Sequence, residues 1–260
     1  MYVLVLDALN FCFWGEPRWT VTTPAAEFNG YFALAAALTE SIERGDPLLD
    51  PSWLSSISSE MLGVVLDGNN LLPLLDERAA NLRELGVAIE ADFAGNPLKL
   101  ITDTQGDAAG VADRIARVCH SFNDVANFDG QEVRFFKRAQ ILASDLAGAL
   151  GPSSPYAITG LEKLSAFADY KVPQVLRELG LLSYAPRLAG KIDHRIEISP
   201  GSREEIEIRA ATIWAVESLR LELANQGASY EAYEIDWLLW NIGQSLESPR
   251  PYHRTRTIYY

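Results

Sequence analysis

The segment Ile235 to Ile242 (IDWLLWNI) constrains the fold more than any other stretch of the chain. It lies in a helix expected over Tyr230 to Leu246, and only Asp236 and Asn241 interrupt an apolar surface that runs all the way round. A helix hydrophobic on every side is expected to be buried on every side, so it demands a core thick enough to surround it. A chain of 260 residues with 48% hydrophobic side chains can supply one, since that length buries roughly three-quarters of its unfolded surface. Asp236 is then the anomaly. It shares a helix face with Tyr233, three residues before, and Trp240, four after. An ionised carboxylate among rings is costly unless it is paired or functional. Two readings stand: a functional acid, or an early-turn acid that complements the helix dipole.

Around this helix the sequence predicts a mainly α protein with a small N-terminal β element. Tyr2 to Asp7 (YVLVLD) is apolar and β-branched and reads as a buried strand, with a second strand at Trp19 to Thr22. A helix is expected from Thr23-Pro24, carrying a Phe28, Phe32, Leu34, Leu38 stripe up to Gly45. Further helices are expected over Pro73 to Leu85, Ala109 to His120, Phe136 to Leu150 and Glu204 to Asn225. Gly151 to Pro155 is a turn, and Thr159 to Leu181 reads as two short helices about a bend, with Pro173 near the first turn of the second. Glu197 to Ile208 alternates and is expected to begin as strand. No repeat or long Pro/Gly linker divides the chain, so residues 1–260 are read as one domain.

Charge and cysteine usage narrow the setting. With 22 basic and 35 acidic side chains the net charge is −13, which repels phosphate polymers and favours small cationic ligands. Cys12 and Cys119 sit in apolar sequence and point to a reducing compartment. The longest apolar run, Phe28 to Thr39, is too short to span a bilayer, and no basic leader precedes it. A cytoplasmic monomer, bound to neither membrane nor nucleic acid, is the expectation. The tail Arg250 to Tyr260 (RPYHRTRTIYY) is basic, and reads either as an end docked on an acidic body or as a local anion site.

Common catalytic and metal motifs are missing, and His120, His194 and His253 are the only histidines. What remains is charge embedded in aromatic sequence: Asn10-Phe11-Cys12-Phe13-Trp14, Phe135-Phe136-Lys137-Arg138 and Phe167-Ala168-Asp169-Tyr170. Each alone fits core packing around one satisfied polar residue. Together they imply a pocket that stacks a flat ring, with acids at its edge and floor.

At these residues the chain resembles the queuosine salvage family. The resemblance is carried by DALNFCFW (Asp7 to Trp14), NFDG (Asn127 to Gly130), FFKRAQIL (Phe135 to Leu142) and FADYKVPQVLRELG (Phe167 to Gly180). EIEIRAATIW (Glu205 to Trp214), IDWLLW (Ile235 to Trp240) and the closing HRTRTIYY extend it in order along the chain. It implies hydrolysis of queuosine 5′-phosphate to release queuine, without a metal or other cofactor. It also implies a shape related to helix-hairpin-helix DNA glycosylases, with the Thr159 to Gly180 bend as the hairpin counterpart. Asp236 would be the catalytic carboxylate, and Phe167 and Asp169 would bind the base. Many relatives carry a helical N-terminal extension, which this chain is expected to lack because it opens at its first strand. Some also carry a second acid where Asn241 stands here.

Queuine is a 7-deazaguanine, so N7 cannot be protonated to activate the leaving group. The sugar cation must then carry more of the catalysis, through an oxocarbenium-like state. Asp236, walled by Tyr233 and Trp240, would stabilise it and orient the attacking water, or else form a covalent glycosyl intermediate. Asp169 would meet the guanine-like N1–H and N2–H₂ edge, and Phe167 with Asn10, Phe13 or Trp14 would hold the ring. Lys137, Arg138, Arg209, His253 and Arg254 are the candidates for the 5′-phosphate. A polynucleotide glycosylase and a non-catalytic binder of a modified purine are the alternatives. The first needs phosphate contacts that the charge disfavours, and the second has no use for Asp236.

Overall fold

The apolar run at the N-terminus forms a helix rather than the expected strand. The structure, a computed structural model, describes residues 1–260. Helix α1 (Tyr2–Leu9) has Leu4 to Leu9 all buried, so its sequence has no polar stripe, and a short apolar run of this kind carries no period to separate helix from strand. The β element comes later, as an antiparallel hairpin of β1 (Thr20–Thr22) and β2 (Glu27–Asn29). The Thr23 hydroxyl accepts the N–H groups of Ala25 and Ala26 and closes that hairpin. The helix expected from Thr23-Pro24 therefore starts only at Gly30.

The remaining helices follow in order. They are α2 (Gly30–Glu43), α3 (Pro51–Leu54), α4 (Ser59–Val65), α5 (Leu75–Ala91), α6 (Lys99–Thr102) and α7 (Ala108–Val118). A second hairpin, β3 (Val125–Phe128) with β4 (Gln131–Arg134), turns at the Asn127 to Gly130 stretch and was not expected from the sequence. After it come α8 (Lys137–Leu150), α9 (Lys171–Glu178), α10 (Pro186–Asp193), α11 (Arg203–Asn225) and α12 (Ala232–Ser245). Glu197 forms only an isolated bridge to Arg254. The Ser202 hydroxyl accepts the Glu205 N–H and starts α11 where a strand was expected. No helix is long and apolar enough to cross a membrane.

The larger core gathers α1 through α8, and a smaller one packs α9, α11 and α12. Helix α12 is not buried all round. Ala232, Ile235, Asp236, Leu239 and Gly243 form its inner stripe, while Trp237, Leu238 and Ile242 are 40%, 51% and 43% exposed. The inner stripe is where α12 meets α9, and Gly243 makes that approach possible. A Cβ there would stand 2.7 Å from Val175 Cγ2 and 2.9 Å from Lys171 Cε.

The basic tail docks. Arg250, Arg254 and Arg256 pair with Glu178, Glu16 and Glu197, and the Cys12 N–H donates to the Tyr260 carbonyl at 2.9 Å. Both cysteines are buried and free.

Candidate functional site

The two cores meet around a cavity of about 410 Å³, lined by Asn10, Phe11, Phe13, Lys137, Phe167, Asp169, Asp236 and Trp240 among others. Asp236 sits in the second turn of α12 and is 4% exposed. Its Oδ1 accepts the Phe167 N–H at 2.8 Å, and its Oδ2 makes no hydrogen bond within the protein. Burial, then the neighbouring Asp169, holds the Asp236 carboxyl well above the ordinary carboxylate range. Asp169 serves the start of α9. Its Oδ1 accepts the N–H groups of Lys171 and Val172, both at 2.8 Å, satisfying orphan donors at the start of α9. Its own pKa is raised by burial, against the pull of Lys137.

Lys137 is the cation these acids share. It opens α8 after Phe136, whose φ of 47° is a left-handed conformation that a bulky residue rarely adopts. Its ammonium is buried and reaches the Asn10 carbonyl at 3.4 Å. Burial pushes its pKa down, with Asp169 the strongest of the carboxylates that oppose the shift.

The loop after α1 is fixed by two guanidiniums. Helix C-terminal carbonyls lack intrahelical partners. Here Arg78 donates to the carbonyls of Leu9, Phe11 and Cys12, and Arg138 to those of Asp7 and Ala8 at 2.9 and 2.7 Å. Arg78 also lies 4.1 Å over the Phe11 ring. Rings from this loop line the cavity together with Phe167, and Tyr31 and Trp240, also in its wall, meet edge-on with centroids 6.1 Å apart.

Several residues expected in the site lie elsewhere. Arg138 is spent on carbonyls, because a guanidinium 1% exposed must satisfy its donors locally. Arg209, 2% exposed, is locked to Asp124, Glu205 and the Ala168 carbonyl. His253 is buried beside Tyr260 with both ring nitrogens unpartnered, and Arg254 pairs with Glu16. None of these four residues lines the cavity. Trp14 packs under Arg254 and Arg256 instead, and Tyr233 meets Trp237 edge-on at 5.3 Å rather than facing Asp236.

Asn241 lines the cavity too, as do residues to which the sequence analysis gave no role: Arg18, Asn29, Tyr31, Asp145, Lys171, Trp237, Gln244, Tyr252 and Tyr260. Only Asp145 had a local signal, as Lys137, Ile141 and Asp145 recur every four residues along one face of α8. Arg18 and Lys171 have neutral side-chain partners, Asn29 at 3.5 Å and Gln174 at 3.0 Å, which leaves their charge available to an anion. No three His, Cys, Asp or Glu side chains are grouped as metal ligands. The arrangement can stack a planar ring, accept hydrogen bonds from its edge at Asp169 and present a carboxylate at Asp236 to whatever the ring carries.

Known proteins agree along the whole length. Residues 1–260 match the family described as Queuosine salvage protein. A queuosine 5′-phosphate N-glycosylase/hydrolase from Sphaerobacter thermophilus is 51% identical over 260 residues, covering 100% of this chain and 80% of that protein. Proteins of the same name from Dictyostelium discoideum and Mus musculus are 36% and 31% identical, again over 100% of this chain and 77% and 81% of theirs. With a cavity built from the motifs that carry the likeness and a match from the first residue to the last, this chain belongs to the queuosine salvage protein family.

Proposed function

We propose that this protein hydrolyses the N-glycosidic bond of queuosine 5′-monophosphate and releases queuine. The observation that carries this is Asp236: a buried carboxylate with one oxygen anchored and the other unspent, on the wall of a ring-lined cavity. In the reaction the C1′–N bond breaks and its electron pair stays on the base. Water bonds to C1′ through its oxygen, and the proton it gives up ends on the departing base. Ionised Asp236 stabilises the cationic sugar, and does so strongly because the surroundings are poor in water. A carboxylate held above its ordinary pKa is also a better acceptor for the water proton.

Asp169 keeps Oδ1 for the α9 turn and offers Oδ2 to the donor edge of the base, while Phe167 and the rings of Phe11 and Phe13 stack on its faces. We place the 5′-phosphate at Arg18 and Lys171, beside Tyr252, in exchange for the cations spent on structure. The likeness to helix-hairpin-helix glycosylases belongs to the same proposal. It is supported by the 3₁₀ turn Leu161–Lys163 and α9, which flank the bend that supplies both Phe167 and Asp169. So does the picture of a one-domain cytoplasmic monomer acting on a free nucleotide, supported by two buried thiols and a net charge of −13. Incubation with queuosine 5′-monophosphate, followed by chromatography, should yield queuine and ribose 5-phosphate in equal amounts. Intact nucleotide after prolonged incubation would overturn the proposal.

A further inference from the structure

One part of the cavity wall is suited to a positive charge. Tyr31, Phe32 and Trp240 meet there as three mutually contacting rings, with centroids 5.7, 6.1 and 5.6 Å apart. Asp145 shares the cavity wall with them and forms no hydrogen bond or ion pair inside the protein. It lies on the face of α8 that begins at Lys137, and eight residues of helix separate the two by about 12 Å along the axis. Behind it Asp7 is wholly buried, and neither of its carboxylate oxygens has a partner.

We propose that Asp145 and this ring cluster form a subsite for a cationic amine carried on a side arm of the base, which rests on the queuosine reading above. Ring faces attract a cation, and a carboxylate beside them accepts its N–H groups. Queuine carries a secondary ammonium on an arm at ring position 7, whereas a base without an arm, held by its edge at Asp169, has nothing to place at Asp145. The charge state suits the task. Burial raises Asp145 to about 6, so it is ionised at neutral pH. Burial, then the neighbouring Asp145, holds the Asp7 carboxyl well above the ordinary carboxylate range. Lys137 is the cation that faces Asp145 from the same helix, but its ammonium is turned to the Asn10 carbonyl. The Tyr31 phenol, raised by burial and by both acids, stays protonated beside them.

The test compares queuosine 5′-monophosphate with 7-deazaguanosine 5′-monophosphate, which has the same ring and no arm. The ratio of their kcat/KM values should favour the armed nucleotide and fall about tenfold or more in Asp145→Asn, the range for a hydrogen bond to a charged group. An unchanged ratio would overturn the subsite. Calorimetry on the unmodified protein covers a variant that fails to fold. Queuine should bind about tenfold or more tighter than its N-acetylated form, whose arm is uncharged, and equal affinity would overturn the proposal. Arm-dependent binding of queuine without release of queuine from the nucleotide would refute the hydrolase reading while leaving the subsite standing.

Discussion

Replacing Asp169 separates its role at the start of α9 from the base recognition proposed for it. Its Oδ1 accepts the Lys171 and Val172 N–H groups at 2.8 Å, and its Oδ2 is free for ligand. In Asp169→Asn the amide oxygen can keep both N–H bonds, so the start of α9 survives, and relief of a buried charge leaves stability equal or higher. What faces the base is then an NH₂ donor against donors. The loss should be about 1.5–3 kcal/mol, the worth of hydrogen bonds to a charged acceptor, or about ten- to a hundredfold in queuine affinity. Asp169→Ala should lose that and the turn as well, lowering stability by about 1 kcal/mol and the melting temperature by about 2–4 °C. Calorimetry with free queuine and thermal unfolding of both variants separate the roles. Parental queuine affinity in Asp169→Asn would refute base recognition and leave Asp169 a structural cap alone.

The exchange of cations is testable in a pair. Arg209→Met should destabilise by about 3–5 kcal/mol, because it strands the buried acids Asp124 and Glu205. Arg18→Ala should leave the melting temperature unchanged and raise KM for the nucleotide about tenfold, without weakening queuine. Gly243→Ala should cost about 1–3 kcal/mol, read by urea unfolding, as its methyl meets Val175 and Lys171 and levers α12 from α9. The pH dependence of stability has a definite sign. A carboxyl raised on folding adds stability that is full below its unfolded pKa of about 3.9 and is lost as pH rises through the folded one. For Asp145, at about 6, that loss falls between about pH 4 and 6 and amounts to about 3 kcal/mol. Relative to the parent, Asp145→Asn should therefore gain about that much between pH 4 and 7. The acid limb of kcat/KM should titrate above the ordinary carboxylate range, following Asp236.

What the sequence made legible was local. Asp236 stood out because a lone acid interrupts an apolar helix, and Phe167 and Asp169 because rings flank an acid at a bend. The N-terminal helix was misread because a segment buried on all sides has no periodicity to read. Lys137 and Arg138 are adjacent in sequence, yet one enters the cavity and the other serves carbonyls 130 residues away. No local pattern distinguishes them, since the difference lies in which direction each side chain leaves the first turn of α8. Arg18, Tyr31 and Tyr252 reach the site through a loop, a helix start and the docked tail, which only tertiary contacts bring together. The aromatic surface of α12 misled in its own way, because part of it lines a cavity rather than a core.

The proposed hydrolysis turns on the charge of one side chain. Asp236→Asn is nearly isosteric, and its amide oxygen can still accept the Phe167 N–H that anchors Oδ1. Folding and queuine binding should persist, and stability should hold or rise as a buried charge is removed. Only the negative charge proposed to face C1′ is lost. Steady-state hydrolysis of queuosine 5′-monophosphate by this variant should show kcat reduced at least about a hundredfold, with KM changed far less. A normally folded Asp236→Asn protein turning over at the parental rate would contradict a catalytic role for this carboxylate.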